Sequence, residues 1–535
     1  MKIALAQINP TVAAFKENVQ RIASFIEKAR EKGADLVVFP EMALVGSPAK
    51  DLLEHPGVIK DNLEALERLA DGVAGVAALI GFVDTRSPKG GKPLYNAVAF
   101  IKDRKVFSVH HKFLLSTYDV FDEARYFESD PAVSIIEFMG RKIGITLGEE
   151  LLREAGPTRS LVAQGARMII NMAAFPYSFE EHKTRLKTLS QRASLYNTEL
   201  VYVNMVGGND ELIYEGGSCV VDNWGRVVAR AGDFEEDLVV VDLKAPLKAI
   251  TAAEADPIES VYKALVLGLG DYARKCGFKS AIMGLSGGID SAVVACLSVA
   301  ALGKENVVGV SMPSQFSSKG SVEDARELAQ NLGIPLKLIS IQSVYEKYME
   351  SFKEEFKGLP FGTAEENLQA RIRGSILMTL SNKFDHLLVA TGNKSELACG
   401  YCTLYGDLCG GFAVMADVPK TMVYQLAQYI NREREVIPKN SIEKVPSAEL
   451  RPNQTDQDTL PPYLTLDGIL RAYVEEAKEL EEIVSLGYGE SLVRQVIELV
   501  DRNEYKRKQS PPGLRITSKA FGSGRRMPIA QRYRY

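Results

Sequence analysis

The stretch AIMGLSGGIDSAVV, residues 281–294, decides the fold of the second half of the chain. The apolar run AIMGL predicts a short strand, and a helix is predicted to begin near Ser291. Between them lies a loop with two glycines framed by hydroxyls, Ser286-Gly287-Gly288-Ile289-Asp290-Ser291. Open α/β sheets bind ligands at such a turn, beyond the carboxyl end of a strand. Paired glycines let the backbone approach an anion closely, and a helix start offers free N–H groups, so the stretch predicts a phosphate site.

The acidic residue in this loop adds a metal to the prediction. Asp290 would repel a phosphate unless a cation lay between them, which favours Mg²⁺. The Gly-Lys-Ser/Thr ending of the usual nucleoside-triphosphatase loop is missing, so that class is disfavoured. A Gly-Gly turn at a helix start can also be purely structural, but the strand–helix context favours ligand binding.

The rest of the second half alternates strands and helices. A helix is predicted over about 258–276, strands at 307–312, 336–341 and 386–391, and a helix ending at Gly333. Such alternation predicts a doubly wound parallel sheet with helices on both faces.

The first half shows a second, separate α/β pattern. Helical periodicity covers 15–32 and 180–196, and 216–243 reads as a hairpin-like series that closes the unit. A weakly patterned stretch, 244–257, is the predicted linker. The apolar runs that predict strands are IALAQI, DLVVFPE (35–41), AALIGFV (77–83), KIGITL (142–147) and RMIINM (167–172).

Composition sets limits on the function. A chain of 535 residues predicts two or three domains, and a net charge of -5 gives no general affinity for nucleic acid or anionic membranes. No stretch is apolar for long enough to span a bilayer, and the start reads as a strand rather than a signal, so we expect a cytoplasmic protein.

Six cysteines suggest no disulfide framework. Cys399-x-x-Cys402 with Cys409 raises the question of zinc, but no histidine is adjacent, which favours ordinary thiols.

Several segments of the second half resemble the NAD synthetase family within the ATP-pyrophosphatase superfamily, whose members adenylate a substrate and release pyrophosphate. The matching segments, in order, are the glycine loop, MPSQFSS (312–318), ENLQARIRG (366–374), LVATGNKSELACGYCTLYGD (388–407), PSAELRPNQ (446–454), LPPY (460–463) and EYKRKQSPPGLR (504–515).

The resemblance implies ATP, deamido-NAD and ammonia as substrates, with Mg²⁺ as cofactor. It implies that the loop 286–291, Thr391, Lys420 and Ser447 contact ATP, and that Asp290 and Glu396 hold the metal. It places Asn367, Arg371, Glu396 and Lys506 at deamido-NAD. Related synthetases form dimers or larger homo-oligomers, so we expect one here.

The first half resembles the nitrilase family, which forms an αββα sandwich and hydrolyses amides with a glutamate, a lysine and a cysteine. VVFPEMALVGSP places Glu41 at the position of the base. HHKFLLSTYDVFDEARYF places Lys112 at the lysine and Tyr118 at the contact with glutamine, with Glu123 in the same stretch. The resemblance therefore implies a glutaminase domain over 1–243, followed by the synthetase domain over 258–535.

The cysteine nucleophile of that family is missing. Its Cys-Glu-Asp-Leu-Trp motif reads here Gly148-Glu149-Glu150-Leu151-Leu152, and no cysteine precedes Cys219. Glycine cannot form a thioester, and loss of a nucleophile can lower turnover by about 10⁶. We expect an inactive amidase domain, so free ammonia, or ammonia from another protein, is the predicted nitrogen source rather than glutamine.

Natural decay and a laboratory substitution at 148 are the two explanations for Gly148. Other departures from the family favour decay: Ser47 stands at a usual tyrosine, Ser116-Thr117 replace Pro-Asn, and Phe175 lies where a polar segment would contact glutamine. Two other classes of protein stay open. One is a different ATP-pyrophosphatase-type ligase, which the nitrilase-like partner disfavours, and the other is a non-catalytic scaffold, which the intact ATP-site residues disfavour.

Overall fold

The computed structural model describes residues 1–85, 91–246, 248–250 and 256–533. It divides into two compact units, Met1–Ala255 and Asp256–Tyr535. Of the predicted linker, residue 247 and residues 251–255 lie outside the described part of the chain. Among the residues that are described, no helix has the length and apolar character needed to cross a membrane.

The first unit holds fourteen strands and five α-helices among its described residues. Its strands are β1 (Lys2–Gln7), β2 (Leu36–Val38), β3 (Ala77–Thr85), β4 (Leu94–Lys102), β5 (Lys105–His111), β6 (Ile135–Phe138), β7 (Arg141–Leu147), β8 (Met168–Ala173), β9 (Glu199–Asn204), β10 (Val206–Asn209), β11 (Leu212–Glu215), β12 (Cys219–Val221), β13 (Val227–Arg230) and β14 (Asp237–Asp242). Its helices are α1 (Phe15–Glu31), α2 (Pro56–Gly72), α3 (Glu123–Tyr126), α4 (Thr158–Ala163) and α5 (Phe179–Tyr196).

Twelve of these strands form two six-stranded sheets, ordered β14-β1-β2-β3-β4-β5 and β13-β12-β9-β8-β7-β6, and β10 pairs with β11 in a separate two-stranded sheet. Successive side chains of a strand point to opposite faces. In β1, Ile3 and Leu5 therefore pack in one core with Ile143 of the other sheet, while Ala4 and Ala6 pack in a second core with helices α1 and α2. Helices α4 and α5 contribute to a third core on the second sheet. The unit is an αββα sandwich, which confirms the predicted fold.

The series predicted at 216–243 is split between the two sheets. Strands β12 and β13 pair antiparallel in one sheet, and β14 pairs antiparallel with β1 in the other. Strands β4, β5, β6, β9, β10 and β11 were not predicted.

The second unit contains four strands and twelve α-helices among its described residues. Its strands are β15 (Ala281–Gly284), β16 (Val307–Ser311), β17 (Leu336–Leu338) and β18 (Leu387–Leu388). Its helices are α6 (Pro257–Lys275), α7 (Ile289–Leu302), α8 (Lys319–Leu332), α9 (Gln342–Ser351), α10 (Thr363–Phe384), α11 (Lys394–Cys399), α12 (Lys420–Ile430), α13 (Lys439–Glu443), α14 (Tyr463–Leu470), α15 (Leu480–Ser485), α16 (Glu490–Arg502) and α17 (Glu504–Arg507).

The four strands form one parallel sheet in the order β17-β16-β15-β18. Side chains of α9 and α10 pack with Ile282 and Val310 of the sheet, and α7 packs against β15 and β16 together with α6 and α12. Gly333 ends α8 in the left-handed conformation, as predicted. Helix α7 begins at Ile289, two residues before the predicted start, so Asp290 lies in its first turn.

Candidate functional site

The glycine loop connects β15 to α7 and is held tightly against α8. Gly287 has a φ of +80°, and a Cβ atom there would lie 2.2 Å from the carbonyl oxygen of Ser321, so only glycine fits. The hydroxyls of Ser286 and Ser291 are 3.2 Å apart, and the Gly288 N–H donates to Ser286 Oγ at 3.1 Å. Hydroxyls and a helix start therefore face one small space, which suits a phosphate.

Two carboxylates and a lysine lie directly beyond this loop. The Lys420 ammonium, which is buried, donates to Asp290 Oδ2 and lies 3.6 Å from Glu396 Oε1. Asn393 donates to Asp290 Oδ1 at 2.9 Å and caps α11, which carries Glu396. Burial, and next the charge of Asp290, raises the pKa of the Glu396 carboxyl to about 8. The structure thus brings together three residues that the sequence places 24 to 130 positions apart.

These carboxylates fit the hard cation expected here. Magnesium prefers oxygen ligands, and carboxylates of two separate segments can hold it beside phosphates. Both carboxylates also lie close to the positive charge of Lys420. A divalent ion there would oppose both effects that raise the pKa of Glu396.

The other two residues expected at ATP lie on nearby segments. Thr391 is half-buried and follows β18 by three residues. Ser447 is exposed, and its Oγ accepts from the N–H of Glu449 at 3.1 Å. The Glu449 carboxylate in turn accepts from Ser321 Oγ at 2.7 Å, and the Ser321 carbonyl is the one that lies against Gly287.

Three residues expected at deamido-NAD converge on one short segment, 400–404. Asn367 Oδ1 accepts from Thr403 Oγ1 at 2.7 Å, and Arg371 Nε donates to the Leu404 carbonyl at 3.2 Å. Lys506 Nζ donates to the carbonyls of Gly400 and Cys402 at 2.7 and 2.9 Å. Both cationic side chains thus lie beside this segment.

The cysteines of this region are free thiols. Burial raises the pKa of both Cys399 and Cys402 to about 12, so neither is a thiolate at neutral pH. In the described part of the chain no three His, Cys, Asp or Glu residues are grouped so that they could hold a metal.

A second cluster of charges lies in the first unit. The Lys112 ammonium donates to Glu41 Oε1 and to Glu123 Oε1, both at 2.7 Å. Asn96, which the sequence did not indicate, donates to the same two carboxylates at 2.7 and 3.2 Å. All four side chains are largely buried. The carboxylates outweigh burial and raise the pKa of Lys112, so the lysine is charged.

Gly148 faces this cluster. It follows β7 with a φ of +51°, and a Cβ atom built on it would lie 2.9 Å from Lys112 Nζ and 3.0 Å from Glu41 Oε2. A side chain at 148 would therefore need the ends of the Lys112 and Glu41 side chains to shift slightly. The three residues predicted for amide hydrolysis are therefore adjacent, with no nucleophile at the third.

The residues next to this cluster are engaged with one another. Tyr118 OH donates to Glu149, which also accepts from Ser116 Oγ at 2.9 Å and from Arg153 at 3.2 Å. Tyr118 is 43% exposed, so its ring is accessible although its hydroxyl is bonded.

The aromatic residue expected to fill the glutamine pocket is buried. Phe175 packs in the core cluster that contains Leu151, with the Arg185 guanidinium 4.7 Å from its ring centre. The adjacent N–H of Ala174 donates to Glu41 Oε2 at 3.2 Å, so this segment adjoins the charged cluster.

Asn393 and Asn96 were both missed, for different reasons. The spacing Asn393-x-x-Glu396 is a capping-box signal that could have identified Asn393. Asn96 lies inside a buried strand with no local signal, and its role depends on contacts with residues 27 and 55 positions away.

Comparison with known proteins accounts for both units. The family model for carbon-nitrogen hydrolase matches residues 2–251, and that for NAD synthase matches residues 261–510. The glutamine-dependent NAD(+) synthetase of Synechocystis sp. is 45% identical over 99% of each chain. That of Thermotoga maritima is 42% identical over 100% of this chain and 99% of its own.

The chain belongs to the glutamine-dependent NAD(+) synthetase family. A solved structure of such a synthetase from Acinetobacter baumannii, in complex with ADP, is 40% identical and superposes with a TM-score of 0.80, covering 99% of this chain and 98% of the other. This chain is therefore a ligase that uses ATP, and the glycine loop lies in its second unit.

Proposed function

We propose that this NAD(+) synthetase takes its nitrogen from free ammonia, while its first unit is a folded amidase domain without turnover. The observation that carries the proposal is Gly148: the position beside Glu41 and Lys112 has no side chain that could attack an amide.

The synthesis would run in two steps in the second unit. The nicotinate carboxylate of deamido-NAD attacks the α-phosphorus of ATP, the bond to the β-phosphate breaks, and pyrophosphate leaves. Ammonia then attacks the carbonyl carbon of this adenylate, AMP leaves, and the amide loses a proton to solvent. Water must be excluded, because hydrolysis would destroy the adenylate.

The residues of the glycine loop would hold the leaving pyrophosphate. The N–H groups at the start of α7 and the hydroxyls of Ser286 and Ser291 can donate to its oxygens. Lys420 would neutralise the charge that develops as pyrophosphate departs. Asp290 and Glu396 would hold Mg²⁺, which supplies further positive charge at the phosphates.

Deamido-NAD would bind beside the 400–404 segment. The cationic groups of Arg371 and Lys506 lie there and suit an anionic dinucleotide. Asn367 fixes the segment through Thr403.

A comparison of nitrogen donors tests the proposal. We expect NAD formation from ATP, deamido-NAD and an ammonium salt, and none above background from glutamine in ammonia-free buffer. The Synechocystis relative is the positive control for glutamine, since its name states that dependence. Glutamine-dependent NAD formation by this chain, at a rate near its ammonia rate, would refute the proposal.

A glutamine-dependent enzyme that carries a single substitution at 148 is the second candidate. The intact cluster of Glu41, Lys112 and Asn96 favours it. Gly148→Cys separates the two: we expect little glutaminase activity, because the buried Phe175 stands where a polar segment would contact glutamine. Full recovery of activity in this variant would support the single-substitution explanation.

A further inference from the structure

Helix α12 begins at Lys420, and its first turn has no cap from its own segment. The first N–H groups of a helix have no partner within the helix. The preceding residue, Pro419, makes no side-chain cap hydrogen bond. The end of the helix that presents the ammonium to Asp290 must therefore be fixed by other parts of the unit.

A carboxylate on α14 and a serine on α11 provide that cap. The Thr421 N–H donates to Asp467 Oδ2 at 2.9 Å, and the Lys420 N–H donates to Ser395 Oγ at 2.9 Å. Ser395 Oγ donates in turn to Asp467 Oδ1 at 2.5 Å. Both oxygens of the carboxylate are thus used, and Ser395 is fully buried.

This network connects α11 and α12, two of the three helices that carry the charges of the ATP site. Ser395 precedes Glu396 on α11, and Glu396 Oε1 lies 3.6 Å from Lys420 Nζ. The distance between these groups depends on how α11 and α12 are joined, and the Ser395 hydroxyl is a hydrogen-bonded link between them. A negative carboxylate at a helix start also stabilises that end of the helix.

We propose that Asp467 is a positioning residue for adenylation, which acts through Ser395 to hold Lys420 at the pyrophosphate. The proposal rests on the role of Lys420 proposed above. The hydrogen bonds of Asp467 go to Ser395 Oγ and to the Thr421 N–H rather than to the glycine loop or to the side chains of Asp290, Glu396 and Lys420. Its proposed effect is therefore on the position of Lys420. A displacement of about 1 Å in such a group can lower a rate about 10²-fold.

The test compares Asp467→Asn and Ser395→Ala with a matched helix-cap variant, Asp256→Asn. Asp256 caps α6 in the same unit by accepting from the Ile258 N–H at 2.9 Å, and it is exposed. The rate of AMP formation with saturating ammonia, the KM for deamido-NAD and the thermal midpoint are measured for each.

We expect kcat to fall about 10- to 100-fold in Asp467→Asn and in Ser395→Ala, which is the loss typical of residues that hydrogen-bond to a metal ligand and orient it. The KM for deamido-NAD should change less than threefold, since Asp467 contacts none of the residues placed at that substrate. The double variant should be no slower than the slower single variant, because both changes break one chain of hydrogen bonds. Asp256→Asn should keep its kcat.

Three results overturn the proposal. The first is a kcat of Asp467→Asn and Ser395→Ala within twofold of the unmodified chain, while Lys420→Met loses activity; that result leaves the proposed function intact. The second is an equal loss of kcat in Asp256→Asn, which would indicate a general effect of replacing a capping carboxylate by an amide. The third is full activity of Lys420→Met, which overturns the proposed role of Lys420 as well. Should Asp467→Asn not fold, Ser395→Ala alone decides, because it removes a single hydroxyl.

Discussion

A glycine with a positive φ stands where a nucleophile is expected, and this bears on stability as well as on chemistry. For a residue with a side chain, the left-handed region costs about 1–2 kcal/mol. Gly148 avoids that cost at its φ of +51° and also leaves Lys112 free to approach Glu41.

Gly148→Ala should therefore destabilise the first unit by more than backbone strain alone. Gly140 is the matched control, because its φ is +73° but a Cβ there would meet nothing within 4 Å. We expect Gly140→Ala to cost about 1 kcal/mol, and Gly148→Ala a further 1–3 kcal/mol, roughly, from crowding against the ion pair. Chemical denaturation of both variants measures the difference, and equal losses would show that the ion pair yields without cost.

At the scale of single elements, strand β5 carries two neighbouring histidines with opposite behaviour. Burial, with the adjacent His111, lowers the pKa of His110 to about 4. Burial also acts to lower the pKa of His111, but hydrogen bonds to Asp84 at 2.8 Å and Asp130 at 3.0 Å outweigh it and raise that pKa above its usual value.

The two histidines should give the first unit opposite pH dependences. Below a pH of about 6.5 His110 is protonated in the unfolded chain, whereas in the folded chain it stays neutral until the pH approaches 4. His110 therefore lowers the free energy of unfolding as the pH falls from about 6.5 towards 4. His111 contributes stability that is complete below about 6.5 and is lost as the pH rises through its raised folded pKa. Thermal midpoints between pH 4.5 and 8 should show a weaker acid loss in His110→Asn and a weaker alkaline loss in His111→Asn. Parallel profiles of the two variants would contradict this.

The elements also show what the sequence could and could not predict. Strands β1, β7 and β8 and helices α1 and α5 were predicted within two residues, because their apolar patterns are continuous or strongly periodic. Strand β4, LYNAVAFIK, was missed because both of its faces are covered and it shows no alternation that would mark it as a strand. Helix α7 begins earlier than predicted because Gly288 is extended and acts as the cap.

The candidate site divides in the same way. The glycine loop is local in sequence, so its position after β15 follows from the pattern alone. The hydrogen bond from Thr421 to Asp467 joins residues 46 positions apart, and no local pattern predicts it. Resemblance to a family identified the charged residues of the site. The residues that hydrogen-bond to them or to their helices, Asn393, Ser395 and Asp467, were identified only in the folded chain.

At the scale of the whole chain, the buried side chain of Lys394 contacts three distant segments of the second unit. Lys394 Nζ lies 2.9 Å from Asp417 and 2.7 Å from Glu475, and it donates to Thr517 Oγ1 at 2.7 Å. These partners lie on segments far apart in the sequence, including the C-terminal one.

Lys394→Met should destabilise the second unit strongly, because it leaves two buried carboxylates without their counter-charge. Breaking a buried ion pair from one side costs about 3–5 kcal/mol. Lys347→Met is the control: its exposed pair with Glu350, at 2.8 Å, should contribute about 0–1 kcal/mol. Calorimetry should show the thermal transition of the second unit moving down in Lys394→Met, with little change in Lys347→Met. Equal midpoints in the two variants would mean that the carboxylates find other partners.

The geometry around Gly148 also has a consequence for how this family can change over time. Glycine carries no strain at the φ of +51° found at position 148, so a change there from a residue with a side chain to glycine is expected to stabilise the fold. The reverse change meets a positive φ and requires the ends of the Lys112 and Glu41 side chains to shift. If the proposed use of ammonia holds, a protein with glycine at this position is therefore expected to retain it.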